Sequence, residues 1–221
     1  MDFAVYMGDK RTVIYKRGQG IVLNEPTILA TREGKVVGIG RGAERYLGME
    51  DIIIEYPMIH GCIEDVKIAS VFFSDMWRRV SGQSMVIRAG CVFCIPSSLQ
   101  PAQLNDYKTV AYSAGVADAE FIPAVIASAV GQGYDVFRPN VVVSVITENE
   151  TADIAAIHGG EIVGGGTIDD MAKLETAIKQ VAGGVDGDVS KVYRGDRITI
   201  AEGAGKLLDN DQLIKKIVNL N

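Results

Sequence analysis

Between residues 64 and 80, Ala69, Phe72, Phe73, Met76, Trp77 and Val80 recur at three- and four-residue steps, the spacing of one face of an amphipathic helix. The first forty residues have a different rhythm. Short β-rich runs at 13–16, 20–23, 27–31 and 35–39 are separated by turn signals, with Glu33-Gly34 as a hairpin turn. A short helix is predicted at 41–47. From residue 90 strands and helices alternate: strand 91–95, helix 100–114, strand 119–122, helix 125–130, then strands at 141–146, 151–157 and 161–163. Helix 169–181, a glycine-rich linker at 183–187, strand 198–201 and helix 206–218 complete the series. Alternation of this kind predicts α/β layers.

The chain has 221 residues, 48% hydrophobic and 23% charged, enough to bury a core as one large or two small domains. Net charge is −6 with no basic block, which argues against a nucleic-acid surface. The N-terminal residues lack a basic region followed by an apolar run, and no apolar stretch reaches the roughly 18 residues of a membrane span. A cytoplasmic location is expected.

Three cysteines without a secretory signal argue against a disulfide framework. Cys91 and Cys94 form a CxxC inside the apolar run RAGCVFCIP, where core packing is favoured over zinc or redox chemistry. Cys62, His60 and His158 are the remaining soft ligands. The sequon at Asn149 carries little meaning outside the secretory pathway. Gly164-Gly165-Gly166-Thr167 reads as a structural turn rather than a displaced phosphate loop.

The segment 12–48, TVIYKRGQGIVLNEPTILATREGKVVGIGRGAERYLG, resembles the opening of the bacterial rod-shape family MreB. Four further stretches match that family in order: Gly61-Cys62-Ile63-Glu64-Asp65, VFCIPSS at 92–98, the hairpin carrying Asp153-Ile154-Ala155 and Gly159-Gly160-Glu161-Ile162-Val163, and ITIAEGAGKLL at 198–208. The resemblance implies an α/β, actin-like (ribonuclease H-like) fold of two subdomain sets. Residues 1–115 would form subdomains IA and IB, and 116–221 subdomain IIA, with IIB replaced by the linker near 183–187.

The chemistry that the resemblance implies is altered. Tyr6 stands where the family has a magnesium-shell aspartate, and Gly8-Asp9 where it has Gly-Thr. In the second loop Ile146 replaces an aspartate and Glu148-Asn149-Glu150 replace glycines, with Thr151 kept; a two-residue slip offers Ser144 instead of Ile146. Glycines let a backbone present N–H groups to phosphate. Two unit charges about 5 Å apart repel by roughly 3 kcal/mol at an effective dielectric near 20, so glutamates oppose a polyphosphate there. Magnesium recruited by Asp9, Glu148 and Glu150 is the counter-argument. Gln103 occupies the family's hydrolytic position, and an amide is no base near neutral pH. Glu202-Gly203-Ala204-Gly205 half retain the adenosine turn.

The expectation is a non-hydrolysing MreB-like scaffold acting in cell shape through protein partners, either MreB-type filaments or self-association, with no cofactor. Its alternative is a minimal ATP-binding, filament-forming homologue; a sugar-kinase-like or chaperone-like ATPase ranks third. The apolar stretch 85–87, with Arg78, Arg79 and Arg88 nearby, falls where some members of the resembled family insert an apolar loop into lipid, so the resemblance adds the option of contact with the inner face of the membrane; taken alone, the stretch reads as an edge strand.

Overall fold

The computed structural model describes residues 1–82 and 89–220. The apolar stretch 85–87 and Arg88 lie outside these residues. The framework begins with an antiparallel meander of β1 (Phe3–Met7), β2 (Arg11–Lys16) and β3 (Gly20–Pro26). All five residues of β1 are buried, so it shows no alternation, and the periodicity that reveals β2 and β3 passes over it. A small second sheet follows, built from β4 (Leu29–Arg32), β5 (Lys35–Ile39) and, after the one-turn helix α1 (Arg41–Glu44), β6 (Ile53–Glu55). The short pair β7 (Met58–Ile59) and β8 (Cys62–Ile63) leads into α2 (Val66–Ser81). Asp65 caps α2 by accepting from the N–H groups of Lys67 and Ile68. Of the predicted stripe, Ala69, Phe72, Phe73, Met76 and Trp77 are buried, and Val80 packs against the same core partly buried.

The chain then returns to the first sheet. β9 (Cys91–Ile95) lies parallel to β1, α3 (Pro101–Ser113) crosses over, and β10 (Ala119–Pro123) lies parallel to β9. The five strands run in the order β10-β9-β1-β2-β3. β10 therefore belongs to the first lobe, and the crossing to the second comes after Pro123 rather than at the expected boundary of 115.

The second lobe opens with α4 (Ala124–Gly131) and repeats the meander as β11 (Val141–Glu148), β12 (Thr151–His158) and β13 (Glu161–Ile168). β13 is longer than expected, and Gly164, Gly165 and Gly166 lie within it rather than in a turn. A Cβ on Gly165 would fall on the Ile154 carbonyl and within 2.8 Å of Ala155 Cα, so the two backbones touch there. A 3-10 turn, Met171–Lys173, precedes α5 (Leu174–Gly183).

The C-terminal part departs most from expectation. Gly183 ends α5, and after residues 184–188 comes a strand that the sequence does not announce, β14 (Val189–Gly195), parallel to β11. The second large sheet thus has four strands, β13-β12-β11-β14, against five in the first. The span 198–201 is helical, not a strand: α6 (Arg197–Leu208) contains it, and α7 (Asp211–Leu220) follows a break at Asp209 and Asn210. The β-branched triplet Ile198-Thr199-Ile200 favours a strand. Asp196 overrides it by accepting from the N–H groups of Ile198 and Thr199, which starts the helix.

One core joins the lobes. Ala4, Tyr6, Val92 and Cys94 from the first sheet meet Val142, Ile146, Ala155 and Ile157 from the second, with α4, α6 and α7 between them. The opposite face of the first sheet packs on α2 and α3, and that of the second on α5. The Cys91 and Cys94 side chains fall on opposite faces of β9 and in different cores. The CxxC therefore places its sulfurs apart, and burial pushes both thiols far above their ordinary range. No described helix is long and apolar enough to cross a membrane.

Candidate functional site

The C-terminal end of β1 faces the β11–β12 hairpin across the gap between the lobes. β11 and β12 pair to their tips, Glu148 opposite Thr151, so Asn149 and Glu150 form a two-residue turn. Asn149 takes φ +55°, a conformation that Asn tolerates and that tight hairpins require. This turn aims the Glu148 side chain back at the first lobe. Its Oε2 accepts from the Tyr6 hydroxyl at 2.6 Å, and its Oε1 accepts from the Lys10 N–H at 3.2 Å. Gly8 lies directly beneath: a Cβ there would stand 2.5 Å from Glu148 Oε1 and 2.8 Å from the Tyr6 ring. Only glycine leaves room for this carboxylate.

Burial raises the pKa of Glu148, while the bonds from Tyr6 and from the N–H groups of Lys10 and Asp9 pull it back. The Tyr6 phenol is held well above its ordinary value, first by burial and then by the facing carboxylate. Asp9 is committed elsewhere. Its two oxygens accept from the N–H groups of His60 and Gly61 at 2.9 and 2.8 Å, tying the first loop to the β7–β8 turn.

A second set of bonds crosses the cleft nearby. Asp153 on β12 accepts from the Ser97 N–H at 2.9 Å and from the Ser97 hydroxyl, and Ser98 and Thr167 share a hydroxyl bond of 2.8 Å. Burial raises the pKa of Asp153 against the opposing effect of both Ser97 donors. Asp153 and Ser97 lie in stretches that match the family, but the sequence attaches no role to either. An acid inside the otherwise apolar run Ala152–Ile157 was the available signal.

Two cavities lie at this end of the cleft. The inner one, about 50 Å³, is lined by Tyr6, Ile146, Glu148, Thr151, Asp153 and Thr167 among others. The outer one, about 680 Å³, opens beside Asp9, Lys10, Tyr56, His60, Asn149 and Glu150. The expected residues Tyr6, Gly8, Asp9, Ile146, Glu148, Asn149, Glu150 and Thr151 are thus brought together. Among the described residues no group of three or more His, Cys, Asp or Glu side chains is arranged to hold a metal ion.

Other expected residues stand elsewhere. Ser144 is buried and donates to the Val125 carbonyl at 2.7 Å. The Gln103 side chain accepts from the Gln100 N–H at 2.9 Å and reaches Cys62 Sγ with its amide at 2.9 Å, so it closes the first turn of α3. Glu202, Gly203 and Gly205 form no glycine turn, because they lie within α6. Glu202 is exposed, Gly203 sits on the Ala127 carbonyl of α4, and Gly205 faces the Tyr15 ring. These glycines serve close helix packing.

Two α/β lobes, each with a β-meander extended by a parallel strand and facing its neighbour across a cleft, define an actin-like (ribonuclease H-like) fold. The subdomain that would follow α5 in such a fold is missing, since residues 184–188 lead straight into β14. The family model described as MreB/Mbl protein matches residues 1–182, and the chain belongs to that family. It is 26% identical over 166 residues to the cell shape-determining protein Mbl of Bacillus subtilis (strain 168), covering 73% of this chain and 50% of that protein. It is 27% identical over 171 residues to the cell shape-determining protein MreB of Escherichia coli (strain K12), covering 73% and 49%. The chain spans about half the length of these curated relatives. Among solved structures, MreB5 of Spiroplasma citri bound to ADP superposes with a TM-score of 0.69 at 24% identity, over 76% of this chain and 51% of that one. The same protein bound to AMPPNP gives 0.69 at 23%, over the same shares.

Proposed function

We propose that this chain serves cell-shape determination as a non-hydrolysing actin-fold scaffold, acting in the cytoplasm through protein contacts rather than nucleotide turnover. The observation that carries this reading is the Glu148 carboxylate, seated on Gly8 and bonded to Tyr6. A polyphosphate approaching Gly8 would meet that negative group at contact distance, in a partly buried setting where charge repulsion is strong. The side chains present do not suit a magnesium-polyphosphate group. Asp9 is bonded to His60 and Gly61, Ile146 and Tyr6 offer no carboxylate, and Gln103 is engaged within α3. The inner cavity of about 50 Å³ is far below the roughly 300 Å³ at which ligand pockets begin.

The test is thermal unfolding with and without Mg-ATP. Ligand at about a hundred times its dissociation constant adds roughly 2.7 kcal/mol, which moves the melting temperature by several degrees. An unchanged melting temperature is expected; a rise overturns this reading. One observation favours the alternative of a minimal ATP-binding filament protein, namely the outer cavity of about 680 Å³ beside Asp9 and Lys10. Sedimentation that depends on ATP would identify that case.

A further inference from the structure

At the end of β1 and in the loop after it, residues 6–10, hydrogen-bond donors gather on one carboxylate. The N–H groups of Asp9 and Lys10 and the Tyr6 hydroxyl converge on one point, and Gly8 leaves that point open from below. Successive backbone N–H groups that converge in this way form a nest for negatively charged oxygen. Asp9 keeps its own carboxylate out of the nest by bonding to His60 and Gly61. The group that fills the nest is the Glu148 carboxylate, delivered from the other lobe by the tip of a hairpin.

We infer that the first loop remains a working oxyanion site whose occupant is the chain's own Glu148, so that this carboxylate blocks inorganic phosphate, pyrophosphate or the end of a phosphorylated ligand by taking its place. The degenerate second loop then does more than repel a ligand. It supplies a tethered substitute that satisfies the N–H groups a phosphate would have used. An unfilled nest in a partly buried cleft would leave those donors unpaired, which is unfavourable. A carboxylate resembles one edge of a phosphate in its pair of acceptor oxygens and its charge. This inference rests on the proposal above that the native chain does not bind nucleotide.

The test removes the tether. Inorganic pyrophosphate, free of metal and with ionic strength matched by potassium chloride, is titrated into the native chain, the E148A variant and the double variant G8A/E148A. Binding is read by calorimetry and by melting temperature. The native chain is expected to show no response. E148A is expected to bind pyrophosphate at least about tenfold more tightly, the change that about 1.4 kcal/mol would give. G8A/E148A should lose that gain, because the added methyl group fills the position where the anion sits. If E148A does not fold, E148S is put to the same test. A folded E148A or E148S that ignores pyrophosphate overturns the inference, as does a native chain that binds it equally well or a double variant that keeps the gain. Failure of the scaffold proposal reads separately, as stabilisation of the native chain by Mg-ATP.

Discussion

The Tyr6 hydroxyl donates to Glu148 Oε2 at 2.6 Å, a bond between residues 142 positions apart on different sheets. It ties the central strand of the first lobe to the hairpin tip of the second. Tyr6→Phe removes the donor and leaves a partly buried carboxylate with backbone N–H partners alone. The expected loss is about 1–3 kcal/mol, measured as a lower urea midpoint with an unchanged slope. An unaltered midpoint would mean that the bond contributes nothing across the cleft.

The two cross-cleft carboxylates make stability depend on pH. Burial holds both Glu148 and Asp153 above their ordinary values of 4.5 and 3.8. Between those values and the raised ones the folded chain binds more protons than the unfolded chain. Stability is therefore favoured at the acidic end of this window and falls as pH rises through it. Glu148→Gln removes one of the two titrating groups, so its urea midpoint should fall less steeply from pH 4.5 upward than that of the native chain. Parallel pH profiles for the two proteins would contradict this assignment.

Gly203 and Gly42 give opposite expectations for the same change. A methyl group on Gly203 would lie on the Ala127 carbonyl and 2.6 Å from the Gly131 nitrogen, both backbone atoms that cannot swing away. Gly203→Ala should cost about 1–3 kcal/mol or more by forcing α4 and α6 apart. Gly42 is helical and has nothing within 4 Å of its would-be Cβ. Gly42→Ala should stabilise by about 0.4–1 kcal/mol through the unfolded state. Thermal unfolding of both variants would check the contrast.

The thiols should react in a fixed order. Cys62 is half-buried, whereas Cys91 and Cys94 are buried on opposite faces of β9 with thiols held protonated. A maleimide applied to the folded protein should label Cys62 first, and the other two only on unfolding. Peptide mapping that finds Cys91 and Cys94 modified together in the native state would contradict the packing described for β9.

Local pattern revealed much of the framework and little of what crosses it. The Phe72, Phe73, Met76 and Trp77 stripe is visible because a helix buried on one face writes its period into the chain. β1 and β14 are not visible in that way. β1 is buried along its whole length, and β14 is an exposed edge strand carrying Lys191 and Arg194. The strand expected at 198–201 failed because a cap at Asp196 and packing on α4 outweigh the propensity of three β-branched residues. At the cleft, Tyr6 and Glu148 could each be singled out from the altered loops. That one donates to the other follows from the approach of two sheets, which no local pattern encodes. The same holds for Ser97 and Asp153, 56 positions apart.

The packing of α6 has a consequence for how the molecule can be divided. The portion that matches the family ends at residue 182, whereas the helix that covers Tyr15 and the inner face of the first sheet is Arg197–Leu208. A truncation at the family boundary would therefore strip the roof from the opposite lobe, leaving apolar surface of β1 and β2 open to water and to aggregation. The lobes are two by topology but share one core, so heating should melt both in one transition, and neither half should persist as a folded fragment without the other.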